Sequence, residues 1–125
     1  MVKFRHACYY RSKSGRQWLD AKSVCETMGA HLLVVNDAAE NDFIYNVLFG
    51  DWPTFAIFTG GFRLVEESTY KWITGEPWTF ANWYPIEPSF EVWNTGEKEQ
   101  CMCITGQYNW TDIPCNQTRV FVCEL

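Results

Sequence analysis

Long apolar runs are missing from this 125-residue chain. No stretch of 18 apolar residues occurs, so no segment reads as a bilayer-spanning helix. Positive charge is scarce as well. Ten Lys and Arg stand against 15 Asp and Glu, a net charge of −5. That balance argues against a nucleic-acid binder or a polybasic membrane-surface module. Histidine occurs only at His6 and His31. Neither lies in a serine, cysteine or metal pattern of the kind that nucleophilic or metal-assisted catalysis needs. There is no C-x₂-C pair, and no second Cys/His cluster completes a tetrahedral zinc set. The N-terminal Met-Val-Lys-Phe-Arg-His has no apolar signal core. Internal repeats and low-complexity tracts are absent.

What is present is a core and a set of cysteines. Apolar residues make up 47% and charged residues 20%, which excludes a disordered chain and suits one domain over residues 1–125. Aromatics reach 18%, with seven Trp, six Tyr and nine Phe. Six cysteines in so short a chain fit an oxidising compartment. The expected location is therefore outside the cell, as a secreted protein or the extracellular domain of a membrane receptor.

The first half carries ordinary helix and strand signals. Tyr9-Tyr10 read as a short strand. Ser14 three residues before Gln17 is a capping-box pattern. Trp18, Ala21, Cys25 and Met28 then recur near helical spacing up to Gly29, a C′ stop. The expectation is helix one over 15–28. His31–Val35 reads as a buried strand. Asp37 and Glu40 form a second capping box, and Phe43, Ile44, Val47 and Leu48 give one stripe, so helix two is expected over 37–49, ending at Gly50. From Gly60 to Gln100 the aromatics persist but helical periodicity ends, and Pro77, Pro85 and Pro88 punctuate the segment. Strand-like pieces fall at Phe55–Thr59 and Tyr70–Ile73. So long an irregular stretch, rich in tryptophan, reads as a functional loop region at about 60–100. Cys101–Thr105 and Val120–Cys123 read as strands, with a turn-rich segment between them.

Carboxylates and cysteines then alternate from residue 87 onward: Glu87-Pro88-Ser89, Glu99-Gln100-Cys101, Trp110-Thr111-Asp112, Cys115, and Phe121-Val122-Cys123-Glu124. With Trp18-x-x-Ala21, Cys25, Gly29-Ala30-His31-Leu32, Phe58-Thr59-Gly60-Gly61, Trp72, Gly75 and Asn82-Trp83 in this order, the chain resembles the C-type lectin-like domain family over nearly its whole length. The resemblance implies an α+β C-type lectin-like fold. Two helices would flank small antiparallel sheets, and a long irregular loop would carry the binding site. It further implies the disulfides Cys25–Cys123 and Cys101–Cys115. The first would close a loop of about 100 residues, worth about 3–5 kcal/mol in the chain-entropy model. Cys8 and Cys103 are left over. Three fates stay open for Cys8: a bridge to Cys103, a partner further upstream, or a link between two chains.

In sugar-binding members of the family a motif E-P-N, a later Glu and a W-N-D motif hold Ca²⁺. Matched residue by residue, the implied metal set here is Glu87, Ser89, Glu99, Thr111 and Asp112. Two carboxamides have become the hydroxyls Ser89 and Thr111, which lack the NH₂ donor a sugar hydroxyl would use. The same five residues are the implied carbohydrate-binding set, joined by Phe90 and Trp93, whose rings either stack on a sugar or fold back onto Trp83 and Tyr84. An X-Pro bond at Pro88 is cis at small cost, and in the family the cis form aims its flanking ligands at the metal. Glu87-Pro88 points to mannose, glucose or fucose-type glycans or glycoproteins as partners. Weak single-site affinity would be raised by multivalency, for which a homo-oligomer is one route. Asn109-Trp110-Thr111 and Asn116-Gln117-Thr118 fit the N-glycosylation sequon.

Two other classes compete. The hydroxyls at 89 and 111 and the aromatics Phe90 and Trp93 also suit a Ca²⁺-independent protein-recognition module on the same fold. A structural role such as ice or mineral binding finds no flat repeated Thr or acidic array to support it. Paired carboxylates could do glycosidase chemistry, but the metal reading uses three of them at once, and enzymatic activity is not expected.

Overall fold

A computed structural model describes residues 1–49, 56–64, 69–90, 100–106 and 109–125, with side chains in the first segment described through residue 46. The chain order is β1 (Val2–Phe4), β2 (Ala7–Arg11), α1 (Trp18–Thr27), β3 (His31–Leu32), α2 (Ala38–Phe43), a π-helical stretch (Ile44–Phe49), β4 (Ile57–Phe62), β5 (Lys71–Trp72), β6 (Cys101–Ile104), β7 (Trp110–Ile113) and β8 (Val120–Glu124). The α+β C-type lectin-like architecture is the one observed. One antiparallel group joins β1, β2, β8 and β3. A second joins β5, β4, β6 and β7. A short parallel pairing of β4 with β8 stitches the two together, giving the order β1-β2-β8-β4-β6-β7.

Helix α1 begins three residues later than the Ser14 signal suggests. Its N-cap is Gln17, whose side chain makes no capping bond. The Trp18 amide donates to the Cys115 carbonyl at 3.1 Å instead, so a distant strand end satisfies a donor that a local cap would otherwise serve. The C-terminus follows its sequence signal. Gly29 at φ +73° occupies the left-handed position that closes a helix without a Cβ penalty, and the Gly29 and Ala30 amides return to Glu26 and Cys25. The apolar face of α1 buries Trp18, Ala21 and Cys25 against Leu32, Phe58 and Phe121.

Helix α2 also departs from its expected span. Asp37 does cap it, accepting from the Glu40 amide at 2.8 Å. The regular α-helix ends at Phe43, however, and the chain continues as a π-helical stretch. Gly50 lies outside the described residues. Glu40 takes the Tyr9 hydroxyl (2.7 Å) and the Asn36 amide (2.8 Å), which pins α2 to β2. Phe43 stacks on Phe4 at 4.4 Å.

The second core lies below the irregular segment: Tyr70, Trp72, Met102, Ile104 and Trp110, with Trp78, Phe80, Trp83 and Phe90 packed on it. Trp18, Trp72 and Trp110 are buried, and Trp52 lies outside the described residues. Gly60 is required here by close approach. A Cβ on it would stand 2.7 Å from Ile73 Cγ2 and 3.0 Å from the Leu32 carbonyl. Among the described residues no helix is long and apolar enough to cross a membrane.

Cys25–Cys123 ties α1 to β8, and Cys101–Cys115 ties β6 to the segment after β7. A Cys8–Cys103 bridge does not form, and both thiols are free. The strand order explains this. Cys8 is on β2 and Cys103 on β6, three strand spacings apart, or roughly 14 Å, twice the Cα separation a disulfide tolerates. Two strands were not expected from sequence: β1, which pairs with β2, and β7. Trp110–Ile113, read as turn-rich, pairs with β6 in full register. His31–Val35 is a strand only over its first two residues, although Leu33, Val34 and Val35 remain fully buried.

Candidate functional site

The candidate site is built on β7 and the segment that docks beside it. Trp83 bridges to Trp110, the Trp110 amide donates to the Asn82 carbonyl, and the Tyr84 amide donates to the Trp110 carbonyl. A turn closed by the Glu87 amide on the Tyr84 carbonyl (2.8 Å) follows. The Glu87–Pro88 bond is cis. Backbone pairing to Trp110 thus delivers Glu87 and Ser89 to the next two residues of β7, Thr111 and Asp112.

Four of the expected residues meet there. Thr111 Oγ1 donates to Glu87 Oε2 at 3.1 Å. Asp112 is 1% exposed, and both its oxygens are occupied. Oδ1 accepts from the Ser89 amide (3.0 Å) and the Ser89 hydroxyl (3.3 Å), and Oδ2 from the Phe90 amide (2.9 Å) and the Tyr70 hydroxyl (3.0 Å). Asp112 is therefore the post to which the 87–90 loop is tied. Glu99 and Trp93 lie outside the described residues. Phe90 folds inward: its ring stacks near Tyr70 at 6.3 Å and lies under the Arg63 guanidinium at 4.9 Å. Asn109 is half-buried and Asn116 exposed.

The electrostatics follow from this crowding. Burial, then a hydrogen bond to the Asp112 carboxyl and its charge, push the Glu87 carboxyl up to about 7, while the Thr111 hydroxyl and the Asp112 backbone pull the other way. Burial and Asp112 also push the Tyr70 hydroxyl upward. Neither Glu87 nor Asp112 belongs to an ion pair among the described residues, whose pairs are Arg5–Asp37 and Lys22–Glu26. No group of three His, Cys, Asp or Glu converges among the described residues. What converges is two carboxylates and two hydroxyls. In kind, this all-oxygen set with an excess of negative charge fits a hard divalent cation. In number it supplies part of the six to eight oxygens Ca²⁺ takes.

Sequence reasoning missed Tyr70 and Arg63. Tyr70 was read only as part of a strand. Arg63 gave no signal beyond being a lone cation after an apolar strand. An aromatic cleft of about 380 Å³ is lined by Thr69, Tyr70, Trp78, Trp83 and Pro88.

Comparison with known proteins agrees with this geometry. The family model described as the lectin C-type domain matches residues 14–125. The CD209 antigen of Symphalangus syndactylus is 30% identical over 128 residues, covering 98% of this chain and 31% of that protein. The chain thus spans about a third of the length of the curated relatives it matches. The human scavenger receptor C-type lectin carbohydrate-recognition domain superposes with a TM-score of 0.89 at 27% identity, covering 99% of this chain and 94% of that one. The cow carbohydrate-recognition domain of CD23, crystallised in the presence of a GlcNAc₂Man₃ oligosaccharide, gives 0.86 at 26%, covering 99% and 91%.

Proposed function

Because the chain belongs to the C-type lectin domain family, and is thus a binding module and not an enzyme, we propose that it is an extracellular glycan-recognition module. Its binding edge is Glu87 with Ser89, Thr111 and Asp112. Glu99 and Trp93, expected from the sequence to belong to the same set, lie outside the described residues. The observation that carries the reading is the pair of carboxylates, Glu87 and Asp112, brought together beside the hydroxyls of Thr111 and Ser89, with neither carboxylate in an ion pair among the described residues. Two like charges held side by side are relieved when a cation or a row of hydroxyl donors arrives. These residues would hold Ca²⁺, which when bound presents open coordination positions to vicinal sugar hydroxyls. The protein's own part is to orient Glu87 through Thr111 and to accept hydrogen bonds from the saccharide. The Glu87-Pro88 pair favours mannose, glucose or fucose-type diols. The disulfides Cys25–Cys123 and Cys101–Cys115 suit an oxidising, extracellular location.

Thermal unfolding in Ca²⁺ against chelator, paired with a glycan array under both conditions, tests this. A ligand at a hundredfold excess over its dissociation constant adds about 2.7 kcal/mol, and sugar binding should vanish with chelator and in Glu87→Gln. An unchanged midpoint with chelator-insensitive binding would remove the metal from the mechanism. A specific observation favours a second reading, Ca²⁺-independent recognition on the same fold. The four acceptor positions of Asp112 already carry protein donors, so the loop is formed from protein groups alone.

A further inference from the structure

Arg63 is the only buried cation among the described residues, at 6% exposure. Its backbone is fixed on both sides: its amide donates to the Gln100 carbonyl at 2.8 Å, and Gln100 Nε2 donates to its carbonyl at 3.2 Å. The side chain then reaches under the 87–90 loop. Nη2 donates to the Phe90 carbonyl at 3.1 Å, the guanidinium lies over the Phe90 ring at 4.9 Å, and it hydrogen-bonds the Tyr70 hydroxyl. That hydroxyl in turn donates to Asp112 Oδ2. One guanidinium thus grips Phe90 by ring and carbonyl and touches, through one hydroxyl, the carboxylate that holds the Ser89 and Phe90 amides.

We infer that Arg63 is a positioning residue for the binding edge, an internal cation that sets the 87–90 loop in its ligand-binding conformation before any metal or sugar arrives. The inference rests on the reading of this edge as the binding site, and it adds to that reading how the edge is preorganised. Three contacts from one planar group fix orientation as well as position, which a lysine's single point charge cannot do. A loop fixed in advance spares ligand binding the cost of ordering it.

The test is amide hydrogen exchange of the full chain in chelator, comparing wild type with Arg63→Met, Arg63→Lys and Tyr70→Phe. The Ser89 and Phe90 amides should exchange about tenfold faster in R63M and in Y70F, while the amides of β6 keep their rates. Arg63→Lys should recover part of the protection. Equal protection of Ser89 and Phe90 in wild type, R63M and Y70F overturns the inference. Y70F keeps the test decisive if R63M does not fold. Calorimetric titration with Ca²⁺ alone adds a sign. A lost neighbouring charge would tighten binding, whereas a lost positioning residue weakens it, with about tenfold expected; tighter binding in R63M overturns the inference. A wild type that takes up no Ca²⁺, yet whose Ser89 and Phe90 protection depends on Arg63, removes the metal from the proposed function and leaves this inference standing.

Discussion

Asp112→Asn separates two roles that a carboxylate beside a second carboxylate can have. If Asp112 is only a metal ligand, neutralising it in chelator relieves its repulsion with Glu87 and leaves the apo chain as stable or more so. The geometry requires the opposite. Four donors converge on the two oxygens, and the side chain is 1% exposed. The substitution turns one oxygen into an NH₂ group, so two of those donors face another donor. Hydrogen bonds to a charged acceptor contribute about 1.5–3 kcal/mol each, and a buried donor left unpaired costs about 1–3 kcal/mol. Part is recovered from the relieved repulsion, leaving a net loss of about 3 kcal/mol. Unfolding entropy of about 2.1 cal/mol/K per residue gives roughly 0.26 kcal/mol/K for a chain of this size. The midpoint should therefore fall by about 11 °C. Differential scanning calorimetry in chelator measures this directly. A midpoint within about 2 °C of wild type would refute the assignment of Asp112 as the brace of the loop.

Other expectations follow from single residues. Ile86 is β-branched, 91% exposed and at φ +72°, so Ile86→Gly should stabilise by about 1 kcal/mol and raise the midpoint in a thermal melt. Glu124 is pushed up to about 7 from the ordinary 4.5, first by burial, and Glu87 likewise. The folded chain therefore binds more protons than the unfolded chain between those values. Stability contributed by these groups is complete below about 4.5 and is lost as pH rises through about 7. Melting in chelator from pH 5 to 7.5 should show a falling midpoint, and Glu124→Gln should flatten it; a rising midpoint contradicts the argument. The two free thiols differ in access. Cys103 is fully buried with its thiol pushed upward by burial, while Cys8 is partly exposed. A thiol reagent should modify one cysteine per native chain and two in denaturant.

Much of the scaffold was legible because its signals are local. Gly29 ends α1 by a backbone conformation that glycine alone adopts freely, and Asp37 caps α2 through the amide three residues on. The spacing of Cys25, Cys101, Cys115 and Cys123 carried the disulfides by family likeness. What could not be read depends on distant partners. The start of α1 is set by the Cys115 carbonyl and not by Ser14. Trp110–Ile113 has polar residues at its centre and turn formers around it, yet it is a strand because β6 lies alongside. The Cys8–Cys103 alternative required knowing that β8 and β4 stand between the two strands. At the site, Glu87, Ser89, Thr111 and Asp112 were legible through their motif. Arg63 and Tyr70 were not, since nothing in a spacing of 49 or 42 residues indicates that a guanidinium will meet the hydroxyl that donates to Asp112.

The two carboxylates of the edge are alike in sequence and unlike in use. Asp112 spends its acceptors inward, on two loop amides, a serine hydroxyl and a tyrosine backed by Arg63. Glu87 has Thr111 as side-chain donor on Oε2, and burial, with Asp112 alongside, raises its proton affinity, so its charge is the less compensated of the two. A ligand gains most where that charge remains, so binding should depend more steeply on Glu87 and stability more steeply on Asp112. Glu87→Gln should abolish glycan binding while leaving the chelator midpoint unchanged or higher, because it removes a repulsion and keeps an acceptor for Thr111. Asp112→Asn should lower the midpoint whether or not a ligand is present. If both substitutions lowered stability and binding in the same proportion, the two groups would be one coupled unit, and the division of labour between brace and ligand contact would be wrong.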